Sequence, residues 1–270
     1  MTVDLPGEEE KGTLARLVDR SGRATGVQLP SAFARGGPGL APPPPLARLV
    51  NGGRSNEARL RLYLSTALLA GSAKRHPVHG RNAIFNVSGP MWARALGLRD
   101  PDVAGAQRIA NAQRWLHDEG YVDLTRRPGS DPLVRLLSAD LTKGRWHRPT
   151  SRYLRVPLGL WSSHWLWFMS ARELAIFLCL LDFQGGRDEP GRPKLHWMTP
   201  QERQRYGFSS ETWRGAVARL DAMGLVETAH ATAEARDFEA RRRRRSYRAV
   251  VERLEVDAFE ALGTTARWWS

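Results

Sequence analysis

Residues 107–137 read QRIANAQRWLHDEGYVDLTRRPGSDPLVRLL, and the fold turns on this stretch. Ile109, Ala112 and Leu116 recur at helical spacing on one apolar face, so its first half is an amphipathic helix. Gly120 ends that helix, since glycine takes the left-handed position past a helix C-terminus without steric cost. Residues 121–126 and 133–137 then alternate as two strands around RPGSDP, whose residue types favour a turn. A helix that runs straight into a hairpin needs further helices to cover its apolar face.

Those helices are legible upstream. From Asn56, the residues Leu60, Leu64, Ala67 and Leu68 repeat at helical spacing, with Gly71 as a stop. Residues 79–87, HGRNAIFNV, read as a short strand. Ser88 can cap a second helix, with Pro90 near its start and Gly97 past its end at Leu96. Asp102 can cap the third, which is expected over residues 102–119. Helix, strand, helix, helix, hairpin is the order of a winged helix.

The same order recurs downstream. Residues 153–156 read as an entering strand, and residues 174–181, apolar nearly all round, as a helix at the centre of a domain. Residues 194–197 form a short strand. Thr199 caps a helix with Pro200 at its first position, and Gly207 ends it. Ser209 or Ser210 caps a third helix over residues 210–223, with Trp213, Ala216, Val217 and Leu220 on one face and Gly224 as its stop. LVETAHAT, from Leu225, and RRSYRAVV form the hairpin. GYVDLT at Gly120 and GLVETA at Gly224 stand 104 residues apart, and at that offset Ile109, Ala112 and Leu116 meet Trp213, Ala216 and Leu220. ARALGL at Ala93 and RQRYGF at Arg203 stand 110 apart, so the first copy carries about six extra residues between its second and third helices. The expected fold class is mainly α with small β-hairpins (α+β), as two tandem winged-helix domains at residues 55–145 and 146–257.

Outside these lie residues 1–54 and 258–270. The first contains GGPGLAPPPP and shows no sustained periodicity, so it is expected to be a disordered arm. Residues 14–27, LARLVDRSGRATGV, could order on a partner or on nucleic acid. The last residues, with Trp268 and Trp269, are expected to be a tail.

The 270 residues carry a formal charge of +13, which attracts polyanions, although the bias to arginine also fits a GC-rich genome: of 41 basic residues only Lys11, Lys74, Lys143 and Lys194 are lysines. The single cysteine, Cys179, sits in an apolar run and is expected to pack rather than react. No stretch approaches the roughly 20 apolar residues of a membrane span, and MTVDLPGEEEK is no signal region, so a cytoplasmic protein on the nucleoid or a plasmid is expected.

In a winged helix the third helix enters the major groove and the hairpin contacts the backbone or minor groove. With its apolar face inward, the first copy's third helix leaves Gln107, Arg108, Asn111 and Arg114 outward, residue types that pair with guanine and adenine. The second copy offers Ser210, Thr212, Arg214 and Arg219, with Glu211 as an acceptor for cytosine. Both faces are expected to be mainly basic, although a merely solvated face would also be polar. Arg126 and Arg127 flank the first turn, and Arg241, Arg242, Arg243, Arg244 and Arg245 precede the second returning strand, where they could follow phosphates or enter a narrow minor groove. A flexible basic segment for RNA or acidic proteins is the alternative for that run.

Chemical motifs are absent. His76 and His79 form HPVH without further metal-ligand spacing, and there is no phosphate loop, dinucleotide fingerprint or nucleophile elbow. No cofactor, metal or catalytic residue is expected, and the chain reads as a non-enzyme. Trp146, Trp161, Trp165, Trp167 and Trp197 are expected to pack the two domains together rather than stack on bases.

RYLRVPLGLW, leading into MSARELAIFLCLLD and a second helix-turn-helix, resembles the tandem winged-helix replication initiators of plasmids and mobile elements over about residues 56–256. That resemblance implies two copies on one double-stranded DNA site, no catalytic residue, and contacts with itself or with replication proteins. The arginine-rich second wing and the proline-rich arm depart from the family pattern. A transcriptional regulator and a winged-helix protein scaffold of chromosome-organising complexes are the competing readings.

Overall fold

The computed structural model describes residues 6–36, 43–51, 53, 56–70, 83–84, 87–185, 194–232 and 243–263. Its elements begin with α1 (Glu8–Ser21), β1 (Gly26–Pro30), α2 (Ser31–Ala34) and α3 (Pro45–Asn51). A first unit follows: α4 (Asn56–Leu69), β2 (Ala83–Ile84), α5 (Gly89–Ala95), a π-helical turn (Pro101–Gly105), α6 (Ala106–Asp118), β3 (Val122–Arg127) and β4 (Ser130–Leu136). Next come β5 (Tyr153–Pro157), α7 (Gly159–Ser162) and α8 (Trp165–Phe168). The second unit is α9 (Ala171–Gln184), β6 (His196–Trp197), α10 (Pro200–Gln204), α11 (Ser210–Ala222), β7 (Val226–Thr232) and β8 (Arg243–Ala249). A 3-10 turn (Val251–Glu255) and α12 (Ala258–Leu262) close the described chain. The fold is therefore α+β with small antiparallel sheets, and among the described residues no helix is long and apolar enough to cross a membrane.

The two units share one sheet topology. In each, the short first strand pairs with the last strand of the hairpin, giving the orders β2-β4-β3 and β6-β8-β7. Hydrogen-bonding side chains set the helix starts: Ser88 accepts from the Met91 amide at 3.3 Å, Thr199 from Glu202 at 3.0 Å, and Ser209 from Thr212 at 3.1 Å. Gly97, Gly120, Gly207 and Gly224 all have positive φ, as the repeat requires. At Gly97, with φ 65°, a Cβ would also stand 2.9 Å from the Trp167 ring.

Residues 6–36 and 43–51 depart from the expected disordered arm. β1 pairs antiparallel with β5 from Gly26 opposite Pro157 to Pro30 opposite Tyr153, and Val27, Leu29, Phe33 and Leu46 are fully buried. β5 is thus the partner of the N-terminal strand. Arg23 donates to the carbonyls of Leu68 at 2.6 Å, Ala67 at 3.2 Å and Ala70, satisfying the last turn of α4, which has no intrahelical donors. The local pattern missed this because glycines and prolines separate the apolar residues, and the strand they complete lies more than a hundred residues away. α1 did carry legible signals: acids in its first turn, Leu14 and Leu17 on one face, and left-handed Gly22 as its stop. Likewise α12 occupies the start of the expected tail, capped by Asp257, while Trp268 and Trp269 lie outside the described residues.

One apolar core runs through both units and the segment between them. α9 is buried almost all round and packs against α4 as well as α11. Cys179 lies fully inside it, where burial pushes its thiol pKa well up and leaves it a packing group. Four of the linking tryptophans pack as expected: Trp146 is buried, and three reach carbonyl or hydroxyl partners. Trp161 donates to Ser65 Oγ at 3.0 Å, Trp165 to the Val256 carbonyl at 2.8 Å and Trp167 to the Ala95 carbonyl at 2.9 Å. Trp197 ends β6 of the second sheet and is 42% exposed.

At the centre of this junction lies Arg61 of α4, only 3% exposed. Its guanidinium donates to the carbonyls of Leu96 at 3.0 Å, Trp167 at 2.9 Å and Met169 at 3.2 Å, and pairs with Glu57. Burial lowers its pKa, with Glu57 opposing, and the three carbonyls hold the charge in place. Arg61→Met should leave those carbonyls without their donor, at about 1–3 kcal/mol each. Urea unfolding is expected to lose roughly 3 kcal/mol or more, and a loss under about 1 kcal/mol would show the contacts to be dispensable.

Candidate nucleic-acid interface

The extra residues of the first copy form the π-helical turn before α6. Asp100, left-handed at φ 47°, caps this turn by accepting from the Ala104 amide at 3.1 Å. Asp102 does not cap the helix; its carboxylate takes two bonds from Arg94 Nη2, at 2.9 and 2.8 Å, while Arg94 Nε pairs with Glu9 at 2.8 Å. The continuous helical path therefore starts at Pro101, one residue before the expected start, and the α-helix proper begins at Ala106. Gly105 allows α6 to sit close on α5, since a Cβ there would lie 2.9 Å from that of Ala93.

α6 turns Ile109, Ala112, Gln113 and Leu116 inward and leaves Gln107, Arg108, Asn111 and Arg114 exposed. Gln107 donates to Asn111 Oδ1 at 3.1 Å, so two amide side chains on successive turns are held together on the outer surface. Trp115 flanks the helix, stacked on Tyr121 at 5.7 Å with the Arg59 guanidinium 4.3 Å over its ring. Glu119 at the helix end is paired with Arg48 at 2.7 Å. Arg108 and Arg114 thus stand on an exposed polar face, with Asp118 exposed one turn beyond Arg114.

The adjoining hairpin is tighter than expected. β3 and β4 pair to Arg127 opposite Ser130, with a register shift between Thr125 and Arg127 that places Pro132 at an irregular step where its missing amide is tolerated. Arg126 lies at this bulge and is exposed, and Arg127 is the last residue of its strand. On the same ladder Arg135 is tied to Asp123 at 3.5 Å.

The second copy's face differs. Ser210 is exposed but accepts from Arg203 at 3.3 Å, and the Thr212 hydroxyl, half-buried, accepts from Ser209 at 3.0 Å within the helix cap. Arg219 turns back toward α9, where its Nε lies 3.4 Å from the buried Glu173 carboxylate. Arg214 points to solvent, yet Glu211 and Asp221 are exposed on the same helix. Arg219 of α11 is thus engaged in helix packing and acids share the helix with Arg214, whereas Arg108 and Arg114 of α6 are both exposed.

In the second hairpin, Arg243, Arg244 and Arg245 stand opposite Thr232, Ala231 and His230. Arg241 and Arg242 lie outside the described residues, as do His76 and His79. Arg245 is half-buried with its guanidinium 5.7 Å over the Tyr247 ring. Arg248 is clamped by Glu227 through two 2.9 Å bonds and by Glu252 at 3.4 Å. The hydrogen bonds from Arg248 hold the Glu227 carboxyl below its usual range.

No protein-family model, curated protein or solved structure matches the chain.

The capped π-helical turn offers a direct check on how α6 is positioned. Asp100→Ala is expected to cost about 1 kcal/mol, the usual worth of a side-chain cap, and to raise amide exchange at Ala104 selectively. Unchanged exchange there would mean that backbone packing alone fixes the turn.

Proposed function

We propose that this chain is a sequence-specific double-stranded DNA-binding protein built as two tandem winged helices, acting as a replication initiator of a plasmid or mobile element. The observation that carries the DNA reading is the face of α6: Gln107, Arg108, Asn111 and Arg114 exposed together, opposite Ile109, Ala112 and Leu116, on a helix that leads straight into a hairpin ending in Arg126 and Arg127. A third helix with such a face fits the major groove, arginine reading guanine and the amides reading adenine, while the hairpin arginines reach phosphates. The shared strand order of the two sheets supports the tandem arrangement. The replication role rests on the family resemblance of the element order.

The two units contribute unequally in this reading. α6 supplies most of the base contacts, and α11 supplies Arg214 with Ser210 and Glu211 at its start. The arginine-rich strand of the second hairpin adds sequence-independent attraction.

Sequencing of source-genome fragments retained by the purified protein at moderate salt should return a common site, and no preference over random duplex would end the specific-recognition reading. On that site Asn111→Ala and Arg114→Ala should each weaken binding by about 1–3 kcal/mol and relax one position. Replacing Arg241, Arg242, Arg243, Arg244 and Arg245 together by alanine should instead weaken all duplexes alike and flatten the salt dependence by about one unit per lost phosphate contact. An unchanged salt slope would remove that run from the interface.

A further inference from the structure

At the base of the first hairpin an open cleft of about 780 Å³ lies between the C-terminal end of α6, the strands β3 and β4, and the loop that leaves β4. His117, Asp118, Asp123, Arg135, Lys143 and Arg145 supply its charged and polar lining. The loop is tightly folded. The Asp140 carboxylate accepts from the Thr142 amide at 3.1 Å and hydroxyl at 2.7 Å, the Ser138 amide donates to the Gly144 carbonyl at 2.8 Å, and Arg145 bridges back to Leu137. This course holds Lys143 in the left-handed region, at φ 59°, beside Gly120, where a Cβ would lie 3.2 Å from the lysine side chain. A long side chain keeps that conformation only where its surroundings impose it.

Inside the cleft Arg135 is matched by Asp123 at 3.5 Å, which leaves Lys143 and Arg145 against Asp118. Past the cleft the charge has one sign. No Asp or Glu stands between Asp140 and Glu173. Lys143, Arg145, Arg148, Arg152 and Arg155 are all exposed, and among the described residues no carboxylate pairs with any of them. The run ends on the ribbon of β1 and β5. There Val27, Leu29, Leu154 and Val156 are buried, so Gln28 and Arg155, opposite each other, take the outer face. Arg148 donates to Gln28 Oε1 at 2.5 Å, so two guanidiniums meet at one amide. Burial lowers the pKa of the neighbouring Arg23, and the charge of Arg148 lowers it further. Cations gathered in this way repel one another, and an anion supplied from outside relieves the repulsion.

The length of the run selects the occupant. A small anion needs cations within the cleft alone, whereas these continue from Lys143 to Arg155, as a polyanion of repeating charge requires. The cleft also adjoins the outer face of α6, since Asp118 in its wall stands one turn beyond Arg114. We propose that the cleft and residues 143–155 form a phosphate track for duplex DNA, with Lys143 and Arg145 taking the backbone at the cleft and Arg148 and Arg155 taking it across the ribbon. This rests on the DNA-binding reading above and extends the contact from the first unit along the segment that joins it to the second.

Salt titrations of the full chain on a labelled random-sequence duplex test the track. Lys143→Gln with Arg145→Gln, and Arg148→Gln with Arg155→Gln, should each lower the slope of log affinity against log salt by roughly two units, one per lost phosphate. Arg16→Gln with Arg172→Gln, exposed on α1 and α9, should leave the slope as in the parent. Arg145→Lys, Arg148→Lys and Arg155→Lys keep the charge and should keep the slope, which separates attraction of phosphates from a structural use of the guanidinium. Because these side chains are exposed, every variant should hold the parent's Tm. A slope unchanged in either Gln pair, or lowered equally by the Arg16 and Arg172 pair, overturns the track. So does an effect confined to binding of free inorganic phosphate, which marks a small-anion site. Duplex binding that persists unaltered in both pairs removes the track alone, whereas a parent chain that binds no duplex removes the DNA reading with it.

Discussion

Arg61 ties the molecule together from within. A buried guanidinium is costly unless its donors are used, and here they meet three carbonyls on two chain segments: Leu96 at the C-terminus of α5, and Trp167 and Met169 in the backbone that leads into α9. The first helix of one unit is thereby bonded to the approach to the first helix of the other. Trp161 and Trp167 strengthen the same junction by spending their indole donors on Ser65 and Ala95. α4 and α9 share one core, and α6 packs on α4 as α11 packs on α9.

That rigidity gives the asymmetry of the two outer faces its meaning. α6 is seated by a capped π-helical turn and by Gly105 close against α5, and its polar residues stay outside. α11 lacks the extra turn and sends Arg219 back to Glu173, the same residue that completes the cap of α9. α6 leaves Arg108 and Arg114 exposed, whereas α11 commits Arg219 to packing. The second copy instead carries a run of arginines at the start of its hairpin strand β8.

Much of this was legible in the residues. Helix starts at Ser88, Thr199 and Ser209, stops at Gly97, Gly120, Gly207 and Gly224, and the inward sets on α6 and α11 follow from local chemistry and from a 3.6-residue period, both of which act within a few residues. The outward set on α6 is the complement of its apolar face and was therefore equally legible. Asp102 misled because two aspartates stood near the helix start, and only the backbone path shows that Asp100 caps while Asp102 meets Arg94.

By itself, then, the sequence determined the order of elements, the repeat and the polar face of α6, because each depends on periodicity and caps within a single segment. Tertiary structure alone decided that residues 8–34 and 45–51 join the fold, since β1 finds its partner only at β5 and Arg23 finds its acceptors only at the end of α4. It alone decided that Arg219 and Arg248 are committed to carboxylates and that Trp197 is largely exposed. Whether an arginine or a tryptophan faces water depends on which distant chain segment arrives beside it, and no local pattern carries that information.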